Sequence, residues 1–188
     1  MVMKCFLCGG KGVIKQQKGR DLCARCFSNI IEKRIRKHVR MNKLFKKNDR
    51  ILVLGGVNKF LVESILKKLP VKLFFRKRED KEFVKKNNIN KIVVEWTLDD
   101  EVNEFMKAVL EGKKVKEKGK KYVKLLKVVT DKELLFFAKF NKIKFKPKKK
   151  DEIVQIFLDE VEDEHPNIKY NLLNNISMLN RLTGIGVK

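Results

Sequence analysis

Four cysteines stand in two C-x-x-C pairs, Cys5-Phe6-Leu7-Cys8 and Cys23-Ala24-Arg25-Cys26, with fourteen residues between the pairs. Two residues between cysteines allow a tight turn that aims both sulfurs at one ion. Two such pairs at this separation are the pattern of a four-thiolate zinc ribbon or knuckle. Gly9, Gly10 and Gly12 supply permissive backbone after the first pair. Lys4, Lys11 and Arg25 offer positive charge to offset the thiolates. Two disulfides, a redox C-x-x-C and an iron–sulfur cluster are the alternative uses of four thiols. The symmetric spacing favours a structural zinc ion on Cys5, Cys8, Cys23 and Cys26. All cysteines of the chain are then used, because the total is four.

Charge is the second constraint. Across 188 residues, 46 Lys and Arg face 23 Asp and Glu, a net charge of +23. That excess repels itself in a compact state and attracts polyanions, of which nucleic acid is the commonest partner. No apolar run reaches membrane-span length, and Met1 leads into the first cysteine pair without an apolar signal region. A cytoplasmic protein with no membrane partner is expected. No helix-turn-helix or dimerising heptad points to DNA regulation.

Along the chain, Phe27 to Leu44 reads as a helix, with Ile31, Ile35 and Val39 on one face. Lys33, Arg34, Arg36, Lys37 and Arg40 fill much of the rest and are expected to face phosphate; His38 is expected at the surface. Ile51 to Leu54 reads as a buried strand, and Gly55-Gly56 leads into a helix over Asn58 to Leu69. Strand, glycine turn and helix open a parallel α/β unit, where backbone N–H groups and a helix N-terminus meet anions. Gly55, Gly56, Asn58 and Lys59 are the candidate phosphate or nucleotide loop. Strands are expected at Val71 to Phe75, Ile92 to Glu95 and Tyr122 to Val128. Helices are expected at Asp80 to Asn87, Asp99 to Leu110 and Thr130 to Asn141, the last opening on the capping box Thr130 to Glu133. A basic linker, Lys142 to Lys150, carries Lys144, Lys146, Lys148, Lys149 and Lys150, further candidates for nucleic-acid contact. An amphipathic helix is expected over Asp151 to Glu164, and the tail from Lys169 to Lys188 reads as a short helix or loosely ordered.

The order of these features resembles the PP-loop tRNA 2-thiolation family, which includes the cytoplasmic two-subunit proteins and their archaeal relatives. The resemblance rests on several stretches in sequence order. They are the cysteine module, the run Cys26-Phe27 to Glu32-Lys33, and Asn48-Asp49-Arg50-Ile51-Leu52-Val53. They continue with Thr97-Leu98-Asp99-Asp100-Glu101, Leu125-Leu126-Lys127-Val128 to Phe137-Ala138, and Phe157 to Lys169. It implies an α/β fold: a four-cysteine zinc module over residues 1–27, a basic linker helix over 28–48, a shortened Rossmann-like PP-loop domain with a parallel sheet over 49–145, and a basic linker with C-terminal helical segment over 146–188.

The departures from the family are as informative. The family loop Ser-Gly-Gly-x-Asp-Ser is here Leu54-Gly55-Gly56-Val57-Asn58-Lys59, without either hydroxyl or the acid. Glu95-Trp96-Thr97 stands where the family has Gly-His-Asn, and Lys146 stands where one of its two catalytic cysteines precedes a proline. The other catalytic cysteine and the family's second zinc module have no counterpart. The resemblance with these losses implies a non-catalytic, tRNA-binding accessory relative, binding ATP weakly or not at all. Its expected partners are tRNA or other RNA and an active PP-loop paralogue or a second copy of itself. An ATP-dependent modifying enzyme with a remodelled loop and a ribosome- or rRNA-associated zinc protein are the alternatives.

Overall fold

The structure is a computed structural model and describes residues 3–16, 20–113 and 119–182. The last six residues of the expected tail, 183–188, lie outside the described residues, as do parts of the cysteine module at 1–2 and 17–19. The cysteine module carries a short antiparallel hairpin, β1 (Ile14–Gln16) and β2 (Arg20–Leu22), in which Ile14 pairs with Leu22. Helix α1 (Ala24–Met41) follows at once. It starts three residues before the expected Phe27 because Cys23 is its N-cap, the Cys23 sulfur accepting the Cys26 N–H at 3.4 Å. It stops at Met41, short of Leu44, where Lys43 adopts a positive φ of 47° and turns the chain out of the helix. Its apolar stripe, Phe27, Ile31 and Ile35, is buried.

The α/β body then runs β3 (Arg50–Leu54), α2 (Gly56–Ile65), β4 (Lys72–Arg76), α3 (Lys81–Lys86), β5 (Lys91–Val93), α4 (Leu98–Leu110), β6 (Tyr122–Val123) and α5 (Asp131–Phe140). The four strands are parallel in the order β4-β3-β5-β6. The middle strand β3 is buried on both faces, as parallel sheets require. Ile51 and Val53 pack into one cluster with α1, α2 and α5, while Leu52 packs into a second with Val84, Ile89 and Ile92. Cys5 and Leu22 belong to that first cluster, so the cysteine module shares a core with the sheet.

Strand β6 is shorter than the expected Tyr122 to Val128. Leu125, Leu126 and Val129 are fully buried, but in a turn that hands the chain to the Thr130 cap of α5. An apolar run alone cannot tell a buried turn from a strand. Helices α6 (Glu152–Glu164) and α7 (Ile168–Leu182) close the fold. They build a third cluster on α4 from Leu98, Val102, Val154, Leu158, Leu173 and Ile176. Among the described residues, no helix is long and apolar enough to cross a membrane.

Candidate metal centre and switch-point crevice

The four cysteine sulfurs lie within 4.8 Å of one another, and Cys8 and Cys23 are 3.6 Å apart at sulfur. A tetrahedral ion bound at about 2.3 Å per thiolate needs sulfurs about 3.8 Å apart, so the group fits one metal ion. The local backbone builds it. The Gly9 N–H closes a turn on the Cys5 carbonyl, and the Cys5 N–H bonds the Gly10 carbonyl. Gly9 has φ 72°, a left-handed conformation that glycine adopts without strain. Backbone N–H groups, that of Cys23 foremost, pull the Cys5 thiol down to about 6, against an opposing push from burial. Its neighbours push the Cys26 thiol up to about 12, with Cys23 first and Cys8 next. Four sulfurs this close resist joint ionisation until a cation neutralises them.

In the sheet, β3 is followed by a crossover to β4 on one side, and β5 by a crossover to β6 on the other. The strand order therefore reverses between β3 and β5, and ligands of open α/β sheets bind beyond the strand ends at such a point. A crevice of about 460 Å³ opens there, lined among others by Gly55, Lys77, Glu79, Glu95, Tyr122 and Lys148. Gly55 has φ 88° and turns the chain into α2. That helix starts at Gly56, two residues ahead of the expected Asn58, because the glycine pair completes the turn itself.

The turn does not stand open. A Cβ at Gly55 would collide with the Glu95 carboxylate, which lies against it. The Val57 N–H, at the head of α2, pulls the Glu95 pKa down against the push of burial. On the other side, a Cβ at Gly56 would lie 3.3 Å from Ile143 and 3.5 Å from the Lys144 carbonyl. The segment 142–150, expected as a linker, is thus a strap across the turn. Ile143 and Phe145 face the core while Lys142, Lys144 and Lys146 face out. Asn58 is buried and donates from Nδ2 to the Leu54 carbonyl at 2.8 Å, folding back on the end of β3, and Lys59 is exposed over the Phe75 ring. The residues at this turn do not fit a nucleotide phosphate. Leu54 brings no hydroxyl and the Glu95 carboxylate already lies against Gly55.

The Asp99-Asp100 pair begins α4 behind a Thr97 cap, as its acidic start implied. Both acids are buried, and both anchor the C-terminal segment. Asp100 pairs with Lys150 at 3.2 Å and Lys148 at 3.6 Å, and Asp99 with Lys169 at 3.0 Å. Lys150 also pairs with Asp131. Trp96 donates to Glu101 at 2.6 Å, with the ammonium groups of Lys124 and Lys148 each 4.6 Å from its ring centre.

The basic residues singled out in α1 and the strap divide into two groups. Lys33, Arg36, Lys37 and Arg40 are exposed on α1, and Lys144, Lys146, Lys148 and Lys149 are exposed on the strap. Arg34 and Lys150 serve the fold, as does Lys148 in part through Asp100 and Glu95: the Arg34 guanidinium bonds Glu133 at 2.8 Å and the Tyr170 hydroxyl at 2.6 Å. His38, expected at the surface, is buried, with its Nδ1 2.9 Å from the Asn42 amide. Its place on the α1 stripe after Ile31 and Ile35 was the signal for burial. The roles of Lys169 and Tyr170 do not show in the sequence, because Asp99, Glu133 and Arg34 meet them from distant elements.

The fold and the cysteine cluster define a Rossmann-like α/β protein with a metal-competent N-terminal module. Among solved structures it is similar to the U34-tRNA thiolase NcsA from Methanococcus maripaludis, a structure described with its 4Fe-4S cluster. The TM-score is 0.73 at 17% identity, covering 95% of this chain and 87% of that one. At that identity the likeness is one of fold. No protein-family model and no curated protein matches the chain.

Proposed function

We propose that this chain is a non-catalytic, tRNA-binding relative of the tRNA 2-thiolation enzymes, acting in the cytoplasm beside an active PP-loop paralogue or as a self-associated accessory subunit. The observation that carries the reading is the fold likeness to a U34-tRNA thiolase over 95% of the chain. It is a fold-level analogy, and the site chemistry shapes the rest. A net charge of +23 supplies the attraction to RNA. The contacting residues are Lys33, Arg36, Lys37 and Arg40 on α1 and Lys144, Lys146, Lys148 and Lys149 on the strap. The metal is a structural zinc ion. Each thiolate of an iron–sulfur cube binds a separate iron, which spreads the sulfurs around the cluster, whereas sulfurs within 4.8 Å of one another surround one ion. The divisions at 27, 48 and 145 then separate the metal module, the RNA-facing helix, the sheet domain and the strap with its two helices.

Filter binding of total tRNA to the purified protein at several salt concentrations tests this. Affinity is expected to fall steeply with salt, with a log–log slope of about −0.7 to −0.9 per phosphate contacted. No binding at low salt defeats the reading. Recovery of rRNA rather than tRNA after crosslinking in cells moves the protein to the ribosome. Pyrophosphate release from ATP, dependent on tRNA and undiminished without a paralogue, makes it an enzyme.

A further inference from the structure

We propose that Glu95 is a resident anion: its carboxylate occupies the Gly55 turn at the head of α2, so the chain itself excludes nucleotide phosphates from the switch-point crevice. The inference is independent of the tRNA reading, and stands on the geometry of the turn.

The surroundings of the turn hold the carboxylate there. The Glu95 side chain reaches from the end of β5 across the crevice and lies on Gly55, where only the absence of a Cβ lets it approach. The Val57 N–H, one of the amides with which a helix N-terminus meets an anion, favours the charged form of Glu95. The strap runs beside Gly56, where a Cβ would meet Ile143 and the Lys144 carbonyl, while Gly56 itself stays exposed. Lys148, whose ammonium bonds the Glu95 carbonyl and flanks Trp96, ties the strap to the same residue. An incoming phosphate would have to displace the carboxylate from Gly55 and then sit beside its negative charge. Gly55, a glycine suited to a phosphate loop, thus serves an internal carboxylate.

The charged groups around Glu95 are Lys148 on the strap, Asp100 at the head of α4, and Lys77 and Glu79 along the crevice. Burial raises the Glu95 pKa most; Lys148 and the Val57 N–H pull it back, and Asp100 raises it. The carboxylate therefore titrates above the ordinary glutamate range, and the Val57 amide should report it.

Backbone amide NMR of the full chain, with inorganic pyrophosphate as the probe, tests the proposal in wild type, Glu95→Gln and Glu95→Ser. In wild type, the Val57 amide is expected to shift with pH as Glu95 ionises, and to ignore pyrophosphate. Glu95→Gln keeps the shape and the fold, and should abolish that pH dependence. Glu95→Ser opens the turn, and pyrophosphate should then shift the Gly56 and Val57 amides saturably. The expected gain is at least about tenfold in affinity over wild type, the scale of one charge-assisted hydrogen bond. Equal pyrophosphate binding by wild type and Glu95→Ser overturns the proposal. So does a Val57 amide whose pH dependence survives in Glu95→Gln, or a Glu95→Ser protein that folds and gains nothing.

Discussion

The ammonium of Lys169, on α7, lies 3.0 Å from the carboxylate of Asp99 at the head of α4, and both side chains are buried. Lys169 also meets Asp159 at 3.1 Å and Glu162 at 2.8 Å on α6, so one cation joins three helices. Burial alone would lower its pKa, but Glu162, Asp99 and Asp159 together raise it. Removing one partner of a buried pair leaves the other charge uncompensated, a loss of about 3–5 kcal/mol. Asp99 keeps the Asp131 N–H at 2.6 Å and its place at a helix N-terminus, which puts Lys169→Met near the lower end, about 3 kcal/mol. Urea unfolding measures it. Adding Asp99→Asn should recover part of the loss, and a single variant within about 0.5 kcal/mol of wild type would defeat the account.

Arg34 separates structure from RNA contact on the same helix. Its guanidinium is held by Glu133 and Tyr170, whereas Lys37 is exposed. Arg34→Ala is expected to lower stability by about 1–3 kcal/mol, the range for a hydrogen bond to a charged group, and to leave the salt slope of RNA binding unchanged. Lys37→Ala should leave stability alone and reduce the slope by about 0.7–0.9. Denaturation and salt-dependent filter binding on both variants check the pair, and the reversed pattern would sink it.

How far the sequence revealed this depends on the distance over which each feature is encoded. The run Ile51 to Leu54 and the box Thr130 to Glu133 are local signals, and strand β3 and helix α5 stand on them. The cysteine cluster was legible because turn geometry needs its spacing. The hairpin β1–β2 was not, since its three-residue strands hold Lys15, Arg20 and Asp21 and show no apolar run. Helix α7 has a weak local pattern and gains its order from Leu173 and Ile176 packing on α4. The strap looked like a charge run because its lysines outnumber Ile143 and Phe145, yet the alternation sets its faces. The role of Glu95 could not be assigned from sequence at all: a carboxylate lying on Gly55 of another element leaves no trace in spacing.

The metal centre makes a separate prediction. Cys5, Leu22 and Phe27 share the buried cluster that holds α1 to the sheet, so loss of the ion should loosen more than the module. One zinc per chain is expected by elemental analysis, with no visible charge-transfer band of an iron–sulfur cluster. Cys26→Ser or chelation should lower the Tm by at least about 5 °C, given roughly 2–4 °C per kcal/mol for a chain of this size. Iron and acid-labile sulfide in anaerobically purified protein would overturn the assignment.

His38 gives the fold a pH dependence of its own. Burial, with Lys127 adding to it, pushes its pKa down to about 4 from the ordinary 6.5. The folded chain therefore keeps the imidazole neutral across a range where the unfolded chain takes up a proton. Stability from this residue is fully present above about pH 6.5 and is lost progressively as pH falls toward about 4, where the folded form also protonates. The full span is worth up to about 3 kcal/mol, at 1.36 kcal/mol per pKa unit. His38→Leu removes the titrating group and should flatten the fall in urea midpoint between pH 7 and pH 4.5, even if its stability at pH 7 is lower. The cysteines and carboxylates contribute equally to both proteins, so the difference between the two profiles isolates the imidazole. Parallel profiles for wild type and His38→Leu would mean that the ring is not held neutral by the fold.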